Sequence, residues 1–99
     1  MADILDVAGH KLATIGEDGR VRNLENVIIG SVDDTGQVYN NMATVVGNFG
    51  ANGYVYKAGS HFGTVHGDGR VYDYENRWIG KVVGDHIESG GAALLLLIL

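Results

Sequence analysis

The chain contains no cysteine and no proline, and aromatic residues make up only 8% of it. Without cysteine it can form no disulfide and offers no thiolate to a metal. Glycine is abundant instead, with 16 residues that lack the Gly-X-Y period of collagen, and this indicates many tight turns. No apolar run approaches the roughly 18 residues that cross a bilayer, so we expect no transmembrane segment.

Basic charge is also scarce: 7 Lys and Arg stand against 12 Asp and Glu, a net charge of -5. An acidic chain repels a phosphate backbone, which argues against nucleic acid as a partner. The first residues lack a basic region followed by an apolar stretch, so we expect no signal peptide and take the cytoplasm as the default location. The length predicts a single domain over residues 1–99, with a small core and modest stability unless subunits associate.

A unit of about 17 residues recurs over residues 4–88. Each copy begins with an apolar residue followed by glycine or alanine, and the five copies are Leu12-Ala13, Ile29-Gly30, Val46-Gly47, Phe62-Gly63 and Ile79-Gly80. Their spacing is 17, 17, 16 and 17 residues. The longest internal match aligns residues 9–30 with residues 59–80. A short fixed period indicates supersecondary pieces that bury their apolar faces only against their neighbours.

Each unit contains two kinds of turn. The first kind is predicted to be type I′, with positive φ at both central residues, and consists of Asp18-Gly19, Thr35-Gly36, Asn52-Gly53 and Asp68-Gly69. The second kind also has Gly or Asn where a left-handed conformation is needed, and consists of Ala8-Gly9, Glu25-Asn26, Ala58-Gly59 and Glu75-Asn76. Met42-Ala43 departs from this second series, so we expect a different turn there.

Strands of four to six residues, rich in Val, Ile, Tyr, Phe and Thr, connect the turns. Three series of equivalent residues are predicted to form the core: Ile4, Val21, Val38, Val55 and Val71; Leu12, Ile29, Val46, Phe62 and Ile79; and Ile15, Val32, Phe49, Val65 and Val82. The second and third series are three residues apart, so both can face inward only if the intervening glycine allows a bulge or kink. A further series should face outward with its hydroxyls in water: Leu5, Arg22, Tyr39, Tyr56 and Tyr72.

Both ends of the repeat region hold half a unit. The N-terminal residues correspond to the second half of a unit, and the last unit, from Trp78, keeps only its first half. This arrangement predicts closure, in which the N-terminal strand completes the final unit and removes the exposed sheet edges. An open stack of units with ragged ends is the alternative.

The C-terminal residues leave the repeat. Residues 89–91, Ser-Gly-Gly, are predicted to be a flexible hinge, and residues 92–99 are apolar throughout. Such a segment is typical of a strand buried on both faces, or of one or two buried helical turns. Its six large side chains each contribute roughly 1.5–3 kcal/mol when buried. We therefore expect the segment to be buried, in its own subunit or else in an interface, and we favour its own core.

These residues resemble those of the small bacterial five-fold β-flower proteins, whose function is uncharacterised. The resemblance covers residues 4–99 and rests on three stretches: Ile29-Gly30-Ser31-Val32, Asp68-Gly69-Arg70-Val71-Tyr72-Asp73 and Ala92-Ala93-Leu94-Leu95. It implies an all-β fold of five short β-hairpins around a pseudo-five-fold axis, with no reaction and no ligand attached. The fifth unit departs from the pattern, because Asp85-His86 replaces the expected Asp-Gly.

No pattern in the chain indicates a catalytic, cofactor-binding or metal site. The four histidines lack the paired spacing of known metal sites, and the acidic turns are too short for a calcium loop. We therefore expect a non-enzymatic structural or protein-interaction module, with an unknown protein or a second copy as partner. The alternative is a small-ligand or glycan-binding module that uses outward aromatic side chains. The candidate contact residues are Tyr39, Tyr56, Tyr72, Tyr74 and Trp78.

Overall fold

The computed structural model describes all 99 residues as a closed barrel of ten antiparallel strands with a helix at its C-terminal end. The strands follow one another around the barrel in chain order. They are β1 Ala2–Leu5, β2 Lys11–Ile15, β3 Arg20–Asn23, β4 Ile28–Val32, β5 Gln37–Asn40, β6 Val45–Phe49, β7 Tyr54–Lys57, β8 Ser60–Val65, β9 Arg70–Asp73 and β10 Trp78–Gly84. The prediction of an all-β chain is confirmed at this level.

Closure of the barrel depends on β1, which pairs with β2 on one side and with β10 on the other. In the β1–β10 pair, Ile4 lies opposite Val82 and Ala2 lies opposite Gly84. The N-terminal strand therefore completes the ring, as predicted, and the open stack is ruled out. Every strand has two neighbours, so no row of unpaired backbone groups is left at an edge.

A β-bulge lies at each of the five apolar-glycine pairs. Val21 of β3 pairs with Gly30 of β4. The next pair joins Arg22 to Ile28, so Ile29 has no partner. The same register shift leaves four other residues unpaired, namely Leu12, Val46, Phe62 and Ile79. The predicted bulge is thus confirmed, and the extra residue is the apolar one.

The bulges change which series forms the core. The residue after each bulge is buried, which applies to Ala13, Gly30, Gly47, Gly63 and Gly80, while the bulged apolar residues are only half-buried. The second series therefore belongs to the core only in part, because its residues are half-buried and pack against the fully buried cluster. The first series is completely buried, and the third is buried except for Phe49, which is half-buried.

Most turns share one geometry that differs from the prediction. In the turn after β2, the Gly16 N–H donates to the Arg20 carbonyl and the Gly19 N–H donates to the Gly16 carbonyl. Gly19 has positive φ but Asp18 does not, so this is a three-residue loop with one left-handed residue, and the type I′ prediction is wrong. Ala43 adopts a φ of 63° in a turn of the same kind, so the different turn expected at Met42-Ala43 is also not found.

The turn between β7 and β8 is the exception. Ala58 and Gly59 both have positive φ, at 53° and 81°, and they form a two-residue loop between Lys57 and Ser60. This loop is one residue shorter than the others. It accounts for the single spacing of 16 residues in the repeat.

Helix α1, Ile87–Ala93, continues into a π-helical segment, Leu94–Ile98, and both lie inside the barrel. The predicted hinge at residues 89–91 is wrong, because these residues are in α1. The apolar C-terminal segment is buried in its own subunit from Ala92 to Leu95, becomes half-buried, and emerges at Leu99. Of the two forms expected for it, the helical one is found.

At one level of the barrel, small residues of the helix face large residues of the wall, and at the next level large residues of the helix face small residues of the wall. A Cβ added at Gly90 would lie 2.8 Å from Val82 Cγ1, so the small helix residues face large wall residues. One turn later the sizes reverse, and a Cβ added at Gly80 would lie 2.7 Å from Leu94 Cδ2. The next three leucines in the chain approach the other wall glycines one by one: Leu95 at Gly63, Leu96 at Gly47 and Leu97 at Gly30. Small residues thus face large ones throughout the contact between helix and wall, as close packing of an interior requires.

The up-and-down strand order separates the turns into two rims. The acidic rim holds the turns at 16–19, 33–36, 50–53 and 66–69, together with the start of α1. The apolar rim holds the turns at 6–10, 23–27, 40–44, 57–60 and 73–77, and the helix ends towards it. These two names refer to these turns below.

Candidate functional site

The barrel interior is occupied by the chain's own helix, so the concave surfaces lie at the acidic rim and on the outer wall, where two grooves extend to the turns at 40–44 and 57–60 of the apolar rim. One groove of about 310 Å³ at the acidic rim is lined by Glu17, Asp18, Asp33, Asp34 and His86 among others. A second groove, on the outer wall, has about 500 Å³ and contains Arg20, Ser31 and Tyr39. Both grooves are shallow and open to solvent. The surface of the molecule is therefore where a partner or ligand would bind.

The carboxylates of the acidic rim are held by their own turns. Asp33 accepts hydrogen bonds at Oδ1 from the Thr35 hydroxyl at 2.7 Å and from the Thr35 and Gln37 N–H groups. These bonds, that from the hydroxyl first, lower the pKa of Asp33 from its ordinary 3.8 to about 2. Backbone N–H groups likewise lower the pKa of Asp18 and Asp68. The structure contains no group of three or more His, Asp and Glu residues arranged to hold a metal ion.

The four histidines lie apart from one another. His10 Nδ1 is 3.3 Å from Asp6 Oδ2, and His86 Nε2 is 3.4 Å from Glu17 Oε2. His61 contacts Thr64, and His66 lies against the ring of Tyr72. Each ring therefore has a different local environment, and the structure brings no two of them together.

The five candidate aromatic residues do not form one site. Tyr39 stands alone on β5, where its hydroxyl donates to Asp33 Oδ2 at 2.9 Å. This bond raises the pKa of Tyr39, and it uses the hydroxyl that was expected to reach water. Tyr56 packs edge-on against His61, with ring centroids 6.3 Å apart. Tyr74 stacks on Phe62 at the apolar rim.

Tyr72 and Trp78 are brought together on the outer wall. They are cross-strand partners in the β9–β10 pair, and Trp78 Nε1–H donates to the Gly80 carbonyl at 2.8 Å. The register continues the same row through Thr64 to Tyr54 on β7. We call Tyr54, Tyr72 and Trp78 the aromatic row. Tyr54 was not among the candidates, although its alternation with Tyr56 along one strand could have indicated it.

The exposed apolar side chains are concentrated at the apolar rim. Met42 is 81% exposed, Leu24 67% and Tyr74 61%, and Leu99 emerges beside them at 68%. The other exposed apolar residues of this rim and of the strand ends next to it are Val7, Val27, Ile28, Val45 and Trp78. Sequence reasoning missed this surface. A sequence pattern could have indicated it, because Val7, Leu24 and Tyr74 each directly follow the Asp or Asn that opens a turn.

The turns of the apolar rim are rigid for a local reason. The side chain that opens each three-residue turn accepts two backbone N–H groups of its own loop. Asn23 Oδ1, for example, accepts from the N–H groups of Glu25 and Val27 at 2.9 and 3.0 Å. Asp6, Asn40 and Asp73 do the same. The next residue is thereby held on the outside of a fixed loop, which is how Leu24 comes to be exposed.

No helix of the structure has the length and apolar character that crossing a membrane requires. Comparison of the chain with protein-family models, with curated proteins and with solved structures finds no match.

Proposed function

We propose that this chain is a non-enzymatic interaction module that binds a protein partner through its apolar rim. The observation that carries the proposal is the separation of surfaces. Exposed apolar side chains are concentrated at the apolar rim, whereas the acidic rim holds six of the 12 carboxylates and the apolar rim holds four. Contiguous exposed apolar patches on a soluble chain are typical of contact sites with proteins. The rigid turns support this role, because a preformed surface loses little conformational entropy on binding.

The proposal includes the β-flower architecture, with five hairpins around a pseudo-five-fold axis. It is supported by the recurrence of the bulge at every apolar-glycine pair and by the approach of successive leucines to successive wall glycines. In this arrangement the helix fills the centre of the barrel and the two rims are the surfaces available for binding.

The absence of catalysis is also part of the proposal. It is supported by the carboxylates of the acidic rim, which are engaged in their own turns rather than directed at a common point.

Site-specific photo-crosslinking tests the interaction module. A photoreactive amino acid placed at Met42, at the apolar rim, should form a covalent adduct in living cells that produce the chain. The control is the same amino acid at Val83, which is 49% exposed on β10 and outside the apolar rim. Adducts at Met42 but not at Val83 support the proposal. If neither position, nor a second rim position at Leu24, gives an adduct of any mass, the proposed function is wrong.

A second candidate function is the binding of a small ligand or glycan on the aromatic row. The observation that favours it is the shared register of Tyr54, Tyr72 and Trp78, since flat aromatic faces in a row are suited to sugar rings. Trp78 is the only tryptophan, so its fluorescence reports this surface directly. Titration with a panel of soluble oligosaccharides should shift its emission, and the shift should be lost in Tyr72→Ala. An unchanged emission across the panel would exclude glycan binding at this row.

A further inference from the structure

We propose that the partner of the apolar rim is a second copy of this chain, bound rim to rim about a two-fold axis that passes through the turn at 40–44. This inference rests on the proposed function and names its partner.

The size of the rim suits a dimer. The barrel is a disc of 30 × 30 × 20 Å, so one flat face covers roughly 700 Å², close to the roughly 800 Å² that each partner buries in a standard interface. Apolar side chains lie at the centre of this face as well as around its edge. Leu96, Leu97 and Ile98 are half-buried in the barrel mouth, and Leu99 is exposed among the rim turns. A flat partner of the same size would cover all of these side chains at once.

Charge determines which face can pair with itself. The acidic rim holds six of the 12 carboxylates and no Lys or Arg, so two acidic rims brought together would repel each other. At the apolar rim, the charges are largely satisfied within the chain: Arg77 is bonded to Asp73 at 3.0 Å and to Glu75 at 2.5 Å. Two copies joined by their apolar rims would place their acidic rims on opposite outer faces, as far apart as the assembly allows.

The order of the turns around the rim determines where the two-fold axis of the dimer lies. Because the strands follow chain order, the turn at 40–44 lies between the turns at 23–27 and 57–60 on the rim. A two-fold axis through turn 40–44 therefore places turn 23–27 of one copy opposite turn 57–60 of the other. Glu25 and Lys57 are the charged residues of those turns that have no ion pair within the chain, and they carry opposite signs.

The same axis gives the other turns suitable partners. Met42, the most exposed apolar side chain, would meet Met42 of the second copy, and thioether side chains adapt readily to such self-contacts. The turn at 6–10, with Val7, would lie opposite the turn at 73–77, with Tyr74. The turns are thus paired by apolar side chains at 40–44 and between 6–10 and 73–77, and by opposite charges between 23–27 and 57–60. This makes the rim complementary to itself, as a two-fold interface requires.

Analytical ultracentrifugation of the purified full-length chain tests the inference. At about 0.15 M salt the chain should show a concentration-dependent monomer-dimer equilibrium between about 1 and 500 μM. Glu25→Lys alone and Lys57→Glu alone should each raise the dimer Kd at least tenfold, because each puts like charges face to face twice per dimer. The double variant Glu25→Lys/Lys57→Glu should restore the Kd to within about threefold of the original.

Two further variants separate this interface from any other. Met42→Lys places a charge on the two-fold axis and should abolish the dimer, whereas Val83→Lys, outside the rim, should leave it intact. All of these positions are exposed, so thermal melts should show that each variant folds. A chain that stays monomeric over the whole range, or a dimer that survives Met42→Lys, overturns the inference. If the chain is monomeric but crosslinking at Met42 captures a different protein, self-association is wrong and the interaction module stands.

Discussion

At the scale of single residues, each three-residue turn is organised by one left-handed position and one side-chain acceptor. In the turns of the apolar rim the left-handed residue is Gly9, Asn26, Ala43 or Asn76, or the pair Ala58-Gly59. Glycine and asparagine tolerate this conformation, whereas alanine is strained in it. Ala43 therefore has its backbone conformation imposed by the surrounding barrel rather than by its own preference.

Replacement of Ala43 tests this account. Ala43→Asn should raise the free energy of unfolding by about 0.5–1 kcal/mol, because asparagine relieves the left-handed strain at a φ of 63°. Urea denaturation followed by circular dichroism measures the change. The matched control is Ala51→Asn, an exposed turn residue without positive φ, which should stay within about 0.5 kcal/mol of the original. Equal changes in the free energy of unfolding at the two positions would contradict the backbone strain inferred at Ala43.

The Asp33 carboxylate gives the turn at 33–36 a pH dependence. Its pKa in the folded chain is about 2, below its ordinary value of 3.8, because the ionised form accepts the hydrogen bonds of its turn. The stabilisation is therefore complete above pH 4 and is lost as the pH falls from about 4 to about 2. Asp33→Asn keeps an acceptor oxygen but has no proton to gain in this range. Thermal melts at a series of pH values should show a shallower loss of stability in this variant between pH 4 and pH 2.

Hydrogen bonds within their turns also lower the pKa of Asp18 and Asp68, so the comparison needs a reference. Asp34 is its neighbour, is exposed and makes no side-chain hydrogen bond, and Asp34→Asn should leave the acid limb of the stability curve unchanged. If the loss of stability between pH 4 and pH 2 became shallower in both variants, or in neither, the hydrogen bonds of Asp33 would not be the cause of this pH dependence.

At the scale of elements, the fit between helix and wall accounts for both the glycines and the leucines. The wall glycine after each bulge faces inward because the bulge adds one residue to the strand. Lacking a Cβ, it leaves room for a leucine of the π-helical segment. The π-helix suits this arrangement, since its wider turn lets consecutive residues point to consecutive parts of the wall.

A side chain at a wall glycine should therefore be strongly destabilising. A Cβ at Gly63 would lie 2.6 Å from both Leu95 Cδ1 and the Tyr72 carbonyl oxygen, so Gly63→Val should lower the free energy of unfolding by about 1–3 kcal/mol or more. Chemical denaturation measures the loss. Adding Leu95→Ala should recover part of it if the helix is the obstacle. Gly67→Val is the control, because nothing lies within 4 Å of a Cβ there and a near-neutral effect is expected.

Much at the element scale followed from the sequence. The strands, the alternation of two turn series and the need for a bulge were all readable from the 17-residue period, and Ile4, Val21, Val38, Val55 and Val71 were correctly assigned to the core. The partial burial of the second apolar series was not predicted, because apolar character alone does not reveal which of two adjacent residues a bulge leaves unpaired. The aromatic candidates were only partly informative, since the register that joins Tyr54, Tyr72 and Trp78 depends on the bulges as well.

At the scale of the whole molecule, the barrel is held together by its own C-terminal segment. Leu94 is completely buried and Leu95 is 2% exposed. Without the helix, the ring of strands would surround a cavity lined by apolar side chains, which neither water nor the small wall residues could fill favourably.

Truncation of one leucine measures how much the C-terminal helix contributes to the free energy of unfolding. Leu94→Ala should reduce the free energy of unfolding by about 2–5 kcal/mol, the usual cost of such a cavity. Leu99→Ala removes the same atoms from a side chain that is 68% exposed and should cost less than about 0.5 kcal/mol in the monomer. A chain that ends at Gly91 lacks all of these leucines and should not unfold cooperatively. Similar melts for Leu94→Ala and Leu99→Ala would show that the helix does not stabilise the barrel.

The sequence by itself determined the repeating strands, the positions of the turns and the burial of the apolar C-terminal residues, and it favoured closure by the first strand over an open stack. These features depend on local periodicity and on the need to remove apolar surface and sheet edges from water. Only the tertiary structure decided that the C-terminal segment is helical, that it meets the wall glycines with its leucines, and that apolar and acidic turns lie at opposite ends. The reason is physical: these features depend on which residues face each other across a closed ring, and that is set by bulges and packing between distant parts of the chain.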